Sequence, residues 1–138
     1  MVCCSFLLPL DYEDIVGARM SEIKSDSRGE LLEFVKHPAF GQVFVSRSRP
    51  GVTRGNHYHT HKVEKFLVVE GTAVILVRSV SSTSITGYRV HGEDLNIIDI
   101  PPMHVHSIQN VGDGDMVLVV WANEVFDEKN PDTFAEIV

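Results

Sequence analysis

From residue 31 onward the sequence consists of short runs rich in β-branched and aromatic residues, each closed by residues that favour turns. Such runs, without a long segment of helical periodicity, predict an all-β sandwich or barrel. The separators include Arg49-Pro50-Gly51, Glu70-Gly71 and Pro101-Pro102, all with turn chemistry. The predicted strands are Leu31–Val35, Gly41–Ser46, Gly55–His59, Lys65–Glu70, Thr72–Ser79, Ser84–Val90, Leu95–Ile100, His106–Asn110 and Met116–Ala122.

The length of the chain and its terminal segments predict a single domain. A chain of 138 residues with 43% hydrophobic content fits one core of ordinary size. Residues 1–30 are predicted to form an N-terminal arm or irregular lead-in, and residues 31–138 the barrel domain. The run Met116–Trp121 is apolar at every position, which is typical of a strand buried on both faces. The tail, Phe126–Val138, is expected to wrap back across the barrel.

Charge and targeting signals exclude several classes of function. The chain has 12 Lys and Arg against 19 Asp and Glu, a formal charge of −7, so nucleic acid is not an expected partner. The apolar opening, residues 1–10, lacks a basic region and is too short to span a bilayer. Its adjacent cysteines, Cys3 and Cys4, do not suit a framework disulfide. We therefore expect a cytoplasmic protein without membrane contact.

Histidine spacing supplies the strongest chemical signal in the sequence. Alternate side chains of a strand share one face, so His57 and His59 are expected to project together into the barrel interior. Glu64 opens the next strand, and a short antiparallel connection would bring its carboxylate beside the histidine pair. These three residues predict part of a metal site.

The fourth ligand is predicted to be His106, which follows Pro101-Pro102 and begins another strand. Three imidazoles and one carboxylate suit Zn²⁺, Fe²⁺, Ni²⁺ or Mn²⁺ and leave positions open for water or substrate. Five of the seven histidines fall in two clusters, at residues 57–61 and 104–106. That clustering favours one divalent metal ion over scattered surface histidines.

The same residues resemble the two cupin motifs. Gly51, His57, His59, Glu64 and Gly71 match the first motif, and Pro101, His106 and Asn110 match the second. The second motif departs from the pattern at Met103, where cupins have glycine, and its upstream glycine is missing. The resemblance implies a single cupin, an RmlC-like jelly-roll double-stranded β-barrel, with the metal ligands His57, His59, Glu64 and His106.

Three further segments narrow the resemblance. Residues 54–59, 64–71 and 121–127, followed by Pro131-Asp132-Thr133, are similar to the C-terminal cupin domain of CapF-type capsular polysaccharide enzymes. In that family the cupin follows a reductase domain, which has no counterpart here, and binds zinc. The resemblance implies a metal-dependent C3 epimerase acting on a UDP-4-keto-6-deoxy-N-acetylhexosamine, a nucleotide-sugar substrate.

Such an epimerase needs a residue that removes a proton beside a ketone and a group that stabilises the resulting oxyanion. Histidine has the pKa best matched to this task at neutral pH. His104 is the first candidate, since it shares a strand face with His106. The other candidates for proton transfer are His61, Tyr88 and Lys65.

Three residues are candidates for substrate binding. Arg54 precedes the histidine strand and is able to pair with a diphosphate or a sugar oxygen. Lys65 offers a second cation, although alternation from Glu64 favours an outward position. Trp121 offers a flat surface for a ring, and a core position is its alternative.

Two other functions fit the same motifs. A site of three histidines and one glutamate also serves cupin iron oxygenases, and a cupin can instead keep its metal for stability in a non-catalytic sugar-binding or dimerisation module. Fold alone does not choose among them. We also expect a homodimer, in which the apolar N-terminal arm contributes to the contact.

Overall fold

Eleven strands make up nearly all of the regular structure. The computed structural model of the protein describes residues 22–138, so the predictions for the apolar opening and the two cysteines lie outside the described residues. Those residues contain one short 3₁₀ helix, Gly92–Asp94, and no α-helix. The strands are β1 (Ile23–Asp26), β2 (Gly29–His37), β3 (Gly41–Ser48), β4 (Thr53–Tyr58), β5 (Glu64–Glu70), β6 (Thr72–Ser79), β7 (Thr86–His91), β8 (Ile97–Ile100), β9 (His104–Asn110), β10 (Met116–Ala122) and β11 (Phe134–Ala135).

The strands form two antiparallel sheets. One has the order β1-β2-β3-β10-β5-β8 and the other the order β11-β4-β9-β6-β7. Neighbours in each sheet are mostly distant in sequence, as expected when a chain winds between two sheets of a jelly roll. This architecture confirms the predicted all-β cupin jelly roll.

All nine predicted strands correspond to β2–β10, and the structure adds one strand at each end. β1 lies within the region predicted as an irregular lead-in and pairs with β2. β11 pairs with β4, so the tail returns to the barrel as expected. Both additional strands are short and lack apolar alternation, the signal on which the prediction depended.

The core lies between the two sheets and is built from alternate positions of their strands. Ile75 and Ala73 of β6 are completely buried, and Phe66 and Val68 of β5 face them from the opposite sheet. β10 was predicted to be buried on both faces, and this is wrong. Its residues alternate between buried and half-buried positions, because the outer face of the six-stranded sheet is partly open to solvent.

A β-bulge in β4 sets the register beside the predicted site. Gly55 pairs with Ser107, and the next paired residue, His57, lies opposite His106. Asn56 is the extra residue, and both it and Gly55 have positive φ, at 57° and 87°. A Cβ on residue 55 would lie 2.8 Å from the His106 carbonyl oxygen, so this close approach requires glycine. The bulge places His57 and His106 side by side.

Candidate metal centre

Four side chains from three strands converge between the sheets. His57 lies in β4, His59 just beyond it, Glu64 at the start of β5 and His106 in β9. One potential ligand atom from each residue can be chosen so that all four lie within 4.8 Å of one another. The four predicted ligands therefore come together at one point.

The hydrogen bonds on the far side of two imidazoles determine their tautomers. His59 Nδ1 lies 2.5 Å from the Asp132 carbonyl oxygen, and His106 Nδ1 lies 3.1 Å from the His104 carbonyl oxygen. A carbonyl oxygen only accepts, so both Nδ1 atoms are donors. In the neutral rings, each Nε2 then carries a lone pair. Each of these two Nε2 atoms lies 3.2 Å from Glu64 Oε2, which is also a hydrogen-bond acceptor.

This arrangement leaves three buried acceptors without a donor. His59 Nε2, His106 Nε2 and Glu64 Oε2 have no hydrogen-bond partner, and their residues are 4%, 1% and 7% exposed. Buried polar atoms are normally satisfied, and acceptors facing one another repel. A divalent cation would satisfy all three at once, and the donor set is one that zinc and related metals prefer. The residues present therefore fit a metal ion.

The pKa values of Glu64 and His59 also indicate that the site attracts positive charge. Burial opposes ionisation of Glu64, but the proximity of the His106 and His59 imidazoles outweighs it and holds the pKa of Glu64 at about 2. Burial also disfavours a charged His59, yet the contact with Glu64 raises its pKa. Burial, reinforced by repulsion from His106 and His59, lowers the pKa of His57 to about 4. His57 is thus neutral at neutral pH, the form that binds metals.

Two adjoining spaces open onto the ligands. The larger, here called the central cavity, has a volume of about 330 Å³ and reaches His57, His59 and Glu64. This volume lies within the range of pockets that hold small molecules. The smaller space, about 90 Å³, reaches His106 and Arg54 deeper in the barrel. The remaining polar lining of the central cavity consists of Lys24, Glu33, Gln42, Lys62, Glu124 and Thr133.

Asp132, in the tail before β11, fixes the loop between β4 and β5. Its buried carboxylate accepts hydrogen bonds from the backbone N–H groups of Thr60, His61 and Lys62, and from the Thr60 hydroxyl. Burial opposes ionisation of Asp132, but these four donors outweigh it and hold its pKa well below the usual range. Since its carbonyl also accepts from His59, one residue orients a ligand and the loop that follows it.

The predicted substrate-binding residues occupy different faces of the barrel. Arg54 lines the inner space and donates from Nε to Ser48 Oγ at 2.7 Å. Lys65 points outward and forms an exposed ion pair with Asp99 at 2.5 Å. Trp121 lies on a half-buried outward position of β10, and its Nε1 donates to the Phe40 carbonyl. Of the three, the structure brings only Arg54 to the ligands.

The predicted proton-transfer residues are also separated. His104 and Tyr88 line another cavity, of about 360 Å³, near the open edges of β7 and β8. His104 Nδ1 is bonded to the Pro102 carbonyl there. His61 is more than half exposed, and its Nδ1 lies 2.9 Å from an Oε1 atom of Glu124, which lines the central cavity. Only His61 is thus connected to the central cavity through a direct contact.

Comparison with known proteins now places the chain. A family model described as the polysaccharide biosynthesis C-terminal domain matches residues 24–134. The chain belongs to this family. The match covers all four candidate ligands and Asp132. Together with the likeness to CapF structures, it confirms the resemblance to CapF-type cupin domains that the motifs indicated.

Two relatives share close to half of the aligned residues with this polysaccharide biosynthesis C-terminal domain. A UDP-2-acetamido-2,6-beta-L-arabino-hexul-4-ose reductase of Pseudomonas aeruginosa is 45% identical over 80% of the chain and 30% of the relative. A crystal structure of the capsular polysaccharide assembling protein CapF of Staphylococcus aureus is 45% identical, with a TM-score of 0.87. It covers 91% of this chain and 34% of CapF. The chain thus spans about a third of these relatives.

A more distant likeness supports the fold alone. The cupin domain of Drosophila melanogaster CENP-C has 18% identity and a TM-score of 0.62, with 75% of each chain covered. Separately, residues 22–138 contain no helix that is long and apolar enough to span a membrane.

Two residues of the site were missed in the sequence. Lys62 lines the central cavity and is 5% exposed, while Asp132 organises the loop. The available signals were a lysine between His59 and Glu64 within the first cupin motif, and the Pro131-Asp132-Thr133 sequence of the tail. Neither signal specifies a long-range contact, since Asp132 lies 73 positions from the histidine that it contacts.

Proposed function

We propose that this chain is a metal-dependent nucleotide-sugar C3 epimerase, acting on a UDP-4-keto-6-deoxy-N-acetylhexosamine in capsular polysaccharide biosynthesis. The observation that carries the proposal is the convergence of three unsatisfied buried acceptors, with His57, beside a cavity of about 330 Å³. The reductase relative supports the substrate class, because its name describes a UDP-linked 4-keto sugar with an acetamido group.

The reaction requires only proton transfer. A base takes the C3 proton, the electrons of the C–H bond move toward the C4 ketone, and a proton returns to C3 from the opposite face. Nothing is oxidised or reduced, and no further reactant is consumed. His57, His59, Glu64 and His106 would hold the metal, for which zinc is our first choice. A divalent ion at this position supplies Lewis acidity to an oxygen atom that enters the cavity.

Among the predicted proton-transfer residues, the geometry favours His61. Its contact with Glu124 at 2.9 Å leaves the other ring nitrogen available and ties the imidazole to the cavity lining. An imidazole oriented by a carboxylate is a recurring arrangement for proton transfer. His104 and Tyr88 are poorer candidates for proton transfer in the central cavity, because they line the cavity near β7 and β8 instead.

The test is deuterium exchange at C3 in heavy water, measured by NMR on metal-replete protein with a panel of UDP-4-keto-6-deoxy sugars. Wild type is expected to incorporate deuterium. The Glu64→Gln variant is expected to lose both the bound metal and the deuterium exchange activity. It should stay folded, since the new amide can donate to a histidine Nε2. Glu70→Gln, an exposed glutamate at the far end of β5, is the matched control.

Metal analysis and oxygen uptake separate the alternatives. Zinc without oxygen uptake removes the oxygenase, whereas iron with substrate-dependent uptake would replace the epimerase. Absence of exchange with every sugar in the panel would favour a non-catalytic module. The homodimer and the cytoplasmic location stay predictions, and a monomeric mass by light scattering at micromolar concentration would contradict the first.

A further inference from the structure

Lys62 is a buried lysine for which the described residues provide no carboxylate partner. Its side chain lines the central cavity, and the residue is 5% exposed. Nζ donates to the Pro131 carbonyl at 3.1 Å and lies 5.7 Å from the centre of the Phe126 ring. Within residues 22–138, no carboxylate oxygen lies within 4 Å of Nζ. One of its three donors is therefore matched by an acceptor of the described chain.

This environment is costly for an ammonium group. Removing a charge from water costs several kcal/mol unless an opposite charge and hydrogen bonds replace the water. The chain provides that replacement elsewhere, since Arg78, whose side chain is 14% exposed, is ion-paired with Glu136. Among the described residues, the hydrogen-bond acceptor of Lys62 Nζ is a carbonyl, and its cation–π neighbour is the Phe126 ring. Its position therefore calls for an anionic partner that enters the cavity.

The backbone of Lys62 is fixed within the β4–β5 loop. Its N–H donates to Asp132 Oδ2 at 3.0 Å, within the group of bonds that fixes the β4–β5 loop. His59 and Glu64, its neighbours in the loop and on β5, face the same cavity. The backbone that carries the ammonium is thus fixed before any ligand arrives, which favours electrostatic stabilisation with little rearrangement.

We infer that Lys62 binds an anionic oxygen of the ligand in the central cavity, and that this is the C4 oxygen that becomes negative when the C3 proton leaves. The inference rests on the proposed epimerase function. A nucleotide sugar also carries a diphosphate, which presents the same chemistry to an ammonium group. The experiment must therefore separate these two sources of negative charge.

Lys62→Met is the principal variant, because methionine retains the approximate length and the apolar stem of lysine while removing the charge. Lys62→Arg keeps the charge and serves as the second variant if the first folds poorly. Lys129→Met, at an exposed tail lysine, is the matched control. For each protein, metal content, Tm, UDP affinity by calorimetry, and kcat and KM of the exchange reaction are measured.

The expected result for Lys62→Met is a fall in kcat of roughly 100-fold, the scale of losing one oxyanion donor, with KM, metal content and UDP affinity retained. Lys62→Arg should recover most of the rate. A tenfold or greater loss of UDP affinity at unchanged kcat would assign Lys62 to the diphosphate instead. The inference is overturned if kcat and UDP affinity both stay within twofold of wild type.

Failure of the epimerase proposal gives a different pattern. Wild type would then show no exchange, and titrations with UDP and inorganic phosphate alone would decide the role of Lys62. Weaker binding of either probe by Lys62→Met, but not by Lys129→Met, would retain the anion site. Equal binding by all three proteins would overturn it.

Discussion

Replacing Asp132 with asparagine tests whether the tail organises the metal centre. Asn Oδ1 can keep the two hydrogen bonds from Thr60, but the new amide nitrogen faces the N–H groups of His61 and Lys62. Two bonds to a charged acceptor are lost, and donors are placed opposite donors. The backbone carbonyl of residue 132 is still present to accept from His59 Nδ1. The loop hydrogen bonds that hold residue 132 in position are weakened.

The expected cost follows from the bond lengths. The two lost bonds measure 3.1 and 3.0 Å, at the long end for a charged acceptor, so each is assigned the lower value of about 1.5 kcal/mol. The free energy of unfolding should therefore fall by about 3 kcal/mol, which corresponds to a decrease in Tm of roughly 10 °C for a domain of this size. Loss of support for His59 should weaken metal affinity by about 10- to 100-fold.

The assay combines urea denaturation of the metal-free protein with a competitive zinc titration of the folded protein. Asp127→Asn is the matched control, since its exposed carboxylate accepts only a local bond from the Lys129 N–H at 2.9 Å. The reasoning is refuted if both variants lose less than about 1 kcal/mol and retain wild-type zinc affinity. A stability loss without a change in zinc affinity would refute only the link to His59.

Two other substitutions probe the support of the fold. Asn110→Ala removes three hydrogen bonds between a fully buried side-chain amide and the backbone, two donated by Nδ2 and one accepted by Oδ1. It should cost about 3 kcal/mol in urea denaturation, where a loss below about 1 kcal/mol would contradict the prediction. Gly55→Ala should cost about 2 kcal/mol more than Gly51→Ala and reduce metal content, because both have positive φ but only a Cβ at residue 55 meets the His106 carbonyl. Equal Tm losses in the two glycine variants would argue against that contact.

The sequence was sufficient for features that depend on local periodicity. Alternation places His57 and His59 on one face, and short apolar runs marked the strands that build both sheets. Alternation also favoured the outward position of Lys65, which the structure shows in its pair with Asp99. These results follow because a strand decides the direction of each side chain from its own backbone.

The alternation of side chains does not predict how far along the barrel each residue lies. His104 shares a strand face with His106, yet two residues of strand carry it about 7 Å away, where it lines a different cavity. The bulge at Asn56, which puts His57 opposite His106, depends on pairing with β9. The roles of Lys62 and Asp132 likewise depend on a contact between a central loop and the tail, which no local period encodes.

The candidate ligand His59 and the residue that orients it, Asp132, are far apart in sequence. This separation affects when the metal centre forms during synthesis of the chain. His59 and the carbonyl that orients it are 73 positions apart. A ribosome adding roughly 5–20 residues per second needs several seconds to produce the intervening chain. Early in that interval the emerging chain holds His57, His59 and Glu64 without His106, and it lacks Asp132 until the interval ends. We therefore expect ion capture to be a late event in biosynthesis, following closure of a nearly complete barrel.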